Sequence, residues 1–124
     1  MEFKIDTKNT FSTIIPLANE IDAKLAGVLV EKCKEMRQSG SKNLIIDLQC
    51  CTHIDKSALP ELIKFHEYSY SQNESLVFTM INNDVMSIIK EDETDLLLNI
   101  APRMDEAIDI ISMEILERDL FNEE

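Results

Sequence analysis

Apolar positions along this 124-residue chain switch between a period of two and a period of three to four, and each switch marks an element. Phe3 to Ile5 and Phe11 to Leu17 read as two extended segments joined by the polar turn Asp6-Thr7-Lys8-Asn9-Thr10, a hairpin. From Asp22 onward, Leu25, Val28, Leu29, Cys33 and Met36 recur at helical spacing, with Asp22 as amino cap and Gly40 just past the end. Leu44 to Leu48 is a near-continuous apolar run of strand length, broken only by Asp47. A second helix follows, with Leu59, Leu62, Ile63, His66 and Tyr70 on its buried face and Phe65 and Tyr68 flanking it as an exposed aromatic patch.

The polar break Ser71-Gln72-Asn73-Glu74 leads to a strand over Leu76 to Ile81. Asp84 then caps a short helix through Val85, Ile88 and Ile89, and Leu96 to Ile100 forms the last strand. Pro102 opens a closing helix, at a position where its missing N–H has no partner to lose. Met104, Ala107, Ile108, Ile111 and Ile115 make that helix's core stripe. Met113, Leu116 and Leu120 make a second stripe on nearly the opposite side, which predicts self-association, a homodimer being the simplest form. The order ββαβαβαβα predicts one α/β domain over residues 1–124, with a mixed, mostly parallel sheet of about five strands and right-handed crossovers.

Charge narrows the partners. The chain carries a net charge of −12, and residues 91–124 hold twelve acidic residues against Arg103 and Arg118. Such a surface is repelled by phosphate backbones and anionic lipid, which argues against nucleic acid and membrane surfaces and favours a protein partner. No apolar run approaches the roughly 20 residues a bilayer crossing needs, and the amino end lacks a signal pattern, so the expected location is the cytoplasm. Cys33, Cys50 and Cys51 are odd in number with two adjacent, which suits a reducing compartment; Cys33 lies on an apolar helix face and is read as packing. His53 and His66 do not complete a metal-ligand pattern, and no metal or cofactor is expected. Glycine-rich phosphate loops and nucleophile elbows are absent, so an enzyme is not expected.

The chemistry that remains sits where the Leu44–Leu48 strand gives way to the second helix. Ile54-Asp55-Lys56-Ser57-Ala58-Leu59 reads as a corner at the carboxyl end of a parallel sheet, where open α/β folds place their working surface. Lys56 or Ser57 as cap leaves Pro60 in the unpaired first turn, and Asp55 is read as capping or turn-forming as well as a partner contact. Lys56 is the first choice for contact with an acidic partner or an anionic ligand.

These residues carry a family resemblance. Asn19-Glu20-Ile21-Asp22 is similar to the Gly-Glu-Ile/Leu-Asp turn of STAS domains, the module of bacterial anti-sigma factor antagonists and of sulfate transporter tails. Asp55-Lys56-Ser57-Ala58-Leu59 is similar to that family's Asp-Ser-Ser/Thr-Gly-Leu, and the order of elements matches over nearly the whole chain. The resemblance implies a regulator that docks on a kinase-like anti-sigma factor through Asn19, Glu20, Asp22, Asp55, Lys56, Ser57 and Ala58. In partner-switching antagonists the serine directly after the aspartate accepts phosphate; Lys56 stands there, so Ser57 is the remaining candidate acceptor beside its reading as a cap. Ala58 and Asn19 each replace a family glycine. Two alternatives follow from the same resemblance: a STAS-like accessory subunit of a phospholipid-exporting transporter, and a small-ligand sensor.

Overall fold

The computed structural model describes residues 1–122. Its five-stranded sheet runs β1 (Phe3–Thr7), β2 (Ser12–Pro16), β4 (Leu44–Asp47), β6 (Leu76–Thr79), β7 (Ile100–Ala101) in that spatial order. β1 and β2 form the expected antiparallel hairpin, and every later neighbour is parallel. Each parallel step returns through a helix: α1 (Ala23–Gln38), α2 (Leu59–Ser71), α3 (Asn83–Glu91). Because the steps all run in one direction across the sheet, right-handed crossovers stack these three helices on the same face. α4 (Met104–Asn122) is left to cover the other.

Alternation along the strands builds one core on each face. Ile14, Leu44, Ile46, Leu76 and Phe78 point toward α1–α3, where Leu29, Cys33, Leu62 and Val85 complete the larger core. Ile45, Val77 and Ala101 point the other way, onto Ala107 and Ile111 of α4. The core stripe of α4 is therefore the one its spacing predicts. Burial pushes the Cys33 thiol up to about 12, so it is an inert packing group.

The caps show how the sequence sets its boundaries. Asp22 accepts the Leu25 N–H at 2.9 Å to start α1, and Gly40, at φ +107°, supplies the left-handed turn after it. At the far end Arg118 ties α4 down: its guanidinium donates to Ser75 Oγ at 3.1 Å and to Asn43 Oδ1 at 3.0 Å. Asn43 Oδ1 in turn accepts the Ser75 N–H.

Five expectations change. Phe65 is buried at 3% exposure, because α2 packs on α1 as well as on the sheet and so buries a wider arc than one stripe. Only Tyr68 remains outside, with the Arg37 guanidinium 5.1 Å above its ring. Val28 is exposed, and Ala26 and Val30 are buried instead. α3 is capped by Asn82, whose Oδ1 accepts the Val85 N–H at 2.9 Å, while Asp84 sits inside its first turn. The Leu96–Ile100 strand shrinks to Ile100–Ala101, since left-handed Glu93 starts a single 3-10 turn over Thr94–Leu96 that leaves Leu96 and Leu97 exposed. Pro102 stands two residues ahead of α4 rather than in its first turn.

The buried ring and the surface ring separate in stability. Phe65→Ala is expected to cost about 3–5 kcal/mol in urea unfolding, against about 1 kcal/mol or less for Tyr68→Ala; equal losses would contradict the assigned core.

Candidate functional site

Two short segments with weak individual signals meet at the carboxyl end of the sheet. β3 (Glu20–Ile21) pairs in parallel with β5 (His53–Ile54) as a separate two-stranded sheet. The Asn19 carbonyl accepts the Thr52 N–H at 2.7 Å, the His53 N–H at 3.1 Å and the Thr52 hydroxyl at 3.1 Å. The Ile21 carbonyl accepts the Asp55 N–H at 2.9 Å. Ile21 and Ile54 turn inward as fully buried anchors, which leaves Glu20 and His53 facing out. The Asn19–Asp22 turn and the Asp55–Ala58 corner are thereby held as one surface.

The loop feeding the corner is equally fixed. Cys51 is buried; its thiol donates to the His53 carbonyl at 3.1 Å and its own carbonyl accepts from Asn82 Nδ2 at 2.8 Å. Burial raises the Cys51 pKa, with the hydrogen bonds to backbone opposing it. Asn82 thus caps α3 and ties the loop after β4 to it.

At the corner itself, Asp55 is the cap. Its Oδ1 accepts the Ser57 N–H at 2.9 Å, starting a 3-10 turn over Lys56–Ala58 that runs straight into α2 with Pro60 in the first turn. Neither Lys56 nor Ser57 caps the helix, because the aspartate one residue earlier already takes the free N–H. That N–H first, and the Ser57 hydroxyl second, hold the Asp55 carboxyl below its ordinary pKa. Asp55, Lys56 and Ser57 are all exposed. Lys56 Nζ reaches Glu91 Oε1 at the end of α3, 3.2 Å away, an exposed pair that contributes little to stability.

Ala58 corrects the expectation that it touches a partner. Its methyl is 0% exposed, packed in the larger core, so it seats the corner and contacts nothing outside. Asn19, Glu20 and Asp22 are exposed as expected, though Asp22 spends its carboxylate on the α1 cap.

Sequence patterns missed the groove beside this surface. A cleft of about 820 Å³ runs from Ser57 and Pro60 along α1 past Gly27 and Val28 to Phe3. A Cβ at Gly27 would meet nothing within 4 Å, so the cleft floor is open. The signal was Val28 itself, an apolar residue one position off the buried arc of α1. Leu17 and Met80 add exposed apolar area at the same end of the sheet, just past β2 and β6. Among the described residues no three His, Cys, Asp or Glu side chains group as metal ligands, and no helix is long and apolar enough to cross a membrane.

No curated protein sequence matches this chain. Among solved structures it is similar to an anti-sigma factor antagonist from Mycobacterium paratuberculosis, with TM-score 0.71 and 16% identity over 90% of this chain and 93% of that one. It is similar to a variant of RsbS from Moorella thermoacetica, with TM-score 0.73 and 16% identity over 95% and 99%. Bacillus SpoIIAA in its phosphorylated form gives TM-score 0.61 and 12% identity over 89% and 99%. At such identities the likeness is one of fold. The family model for STAS domains matches residues 2–107, and the chain belongs to that family.

Proposed function

We propose that this protein is a non-catalytic regulator of the anti-sigma factor antagonist kind, acting in the cytoplasm. It docks on a kinase-like anti-sigma factor through Asn19, Glu20, Asp55, Lys56, Ser57 and the adjoining groove, and so frees the sigma factor by competition. The observation that carries this reading is the β3–β5 pairing, which joins two exposed polar segments into one preformed patch at the sheet's carboxyl end. A preformed patch loses little entropy on docking.

Lys56 changes how such docking is controlled. A serine there could be switched by phosphate; a lysine keeps a fixed positive charge at the centre of the patch. Ser57 is the group left for switching. Phosphate on it would place about −1.5 to −2 charges beside the Asp55 carboxylate that caps its own N–H, opening the turn and repelling an acidic partner.

Tagged protein purified from its native cells is expected to retain a sigma-binding or kinase-like protein by mass spectrometry. Lys56→Glu is expected to lose that protein at least about tenfold with an unchanged melting temperature, as a charge reversal in a desolvated contact does. Recovery of a membrane transporter's ATPase instead, or of neither, would overturn the reading.

The corner's rigidity has a pH signature. A carboxyl whose pKa is lowered in the fold adds stability that is complete above its unfolded value and is lost as pH falls through its folded one. Carbon-detected NMR is expected to show Asp55 titrating below the ordinary aspartate value, with the Ser57 amide shifting in step. A midpoint at or above the ordinary value would contradict the cap.

A further inference from the structure

The reverse side of the molecule carries a surface that the docking corner leaves free. α4 seats Ala107 and Ile111 against Ile45, Val77 and Ala101, which turns its opposite side to solvent. There Met113, Leu116 and Leu120 are 61%, 59% and 59% exposed, spaced three and four apart in a single stripe. Among the described residues nothing covers it.

The charges beside that stripe are of one sign. Asp109 and Glu117 flank it, both exposed and without an ion-pair partner among the described residues, and Asp105 lies one turn ahead. The two arginines nearby are committed elsewhere: Arg103 holds Asp105 and Glu106 at the start of the helix, and Arg118 turns inward to Ser75 and Asn43. A second copy laid on this face would bring matching carboxylates together with no cation between them, so charge opposes the homodimer that the apolar spacing alone predicts.

We infer that the outer face of α4 is a second docking surface, and that its occupant is a basic amphipathic helix of another protein. Leucine-type side chains at three-and-four spacing on that helix pack along Met113, Leu116 and Leu120, and flanking lysines or arginines meet Asp109 and Glu117. The geometry is that of two helices packed side by side on the sheet's outer layer. Because α1–α3 and the Asp55–Ser57 corner lie across the sheet from α4, both surfaces can be occupied at once. The chain would then bridge a regulator on one face and a basic helix on the other.

The probe is a synthetic leucine–lysine amphipathic helix of about five turns, titrated by NMR into the isotope-labelled full chain at low and high salt. A leucine–glutamate peptide of the same spacing serves as its counterpart. The leucine–lysine peptide is expected to bind with shifts centred on α4, more weakly at high salt, while the leucine–glutamate peptide does not bind. Affinity should fall about tenfold or more in Leu116→Ser with Leu120→Ser, as for loss of an interface centre, and fall measurably in Asp109→Asn with Glu117→Gln. Glu31→Gln with Glu35→Gln, on exposed α1 positions, should leave it unchanged; all variants are checked for folding by circular dichroism. The inference is overturned by shifts centred elsewhere, by equal binding of the acidic peptide, by affinity insensitive to the α4 changes, or by light scattering that shows a dimer abolished by Leu116→Ser with Leu120→Ser.

Discussion

The handedness of strand connection is the constraint on which the rest of this structure depends. Three parallel steps taken in one direction send α1, α2 and α3 to the same face of the sheet, and only α4 remains for the other. The two faces are consequently unlike. One holds a deep core under three helices, with Phe78, Ile46 and Leu62 fully enclosed. The other is a single layer in which α4 has a partner on one side and water on the other. Loops at the carboxyl ends of β2 and β4 emerge together, and this brings Asn19 beside Thr52 although 33 residues separate them.

Within that frame the corner is held by backbone rather than by side chains. Carbonyls of Asn19 and Ile21 fix Thr52, His53 and Asp55, so the turn does not depend on the side chains of Glu20 and His53, while Lys56 makes only an exposed pair with Glu91 and the Ser57 hydroxyl bonds Asp55. Asp55 is the exception, since its carboxylate makes the cap. Display of exposed polar groups over a rigid base is what recognition of a protein surface requires. Lys56 adds a permanent positive charge to a surface whose geometry is made by the backbone.

Elements with long, regular spacing were legible in the sequence: the hairpin, α1 from its Asp22 cap to Gly40, the strands at Leu44 and Leu76, and the core stripe of α4. Errors arose where tertiary packing or a short turn overrode the pattern. Phe65 sits on a helix wedged between a sheet and another helix, and a one-stripe reading cannot show that second contact. Leu96 to Leu98 has strand composition but follows a left-handed Glu93 that winds it into a turn. β3 and β5 are two residues each, below any periodicity. The candidate site was legible as a motif, not as a geometry: the exposure of Asp55, Lys56 and Ser57 could be read, the burial of Ala58 and the groove to Phe3 could not, because both depend on where α1 lies.

Amide hydrogen exchange at Thr52, His53 and Asp55 tests most directly whether the two segments form one rigid patch. Pairing to Asn19 and Ile21 predicts exchange far slower than at the hairpin-turn amides of Asn9 and Thr10. Exchange at the rate of those turn amides would mean that the corner is assembled only on contact, and the preformed docking surface would be contradicted.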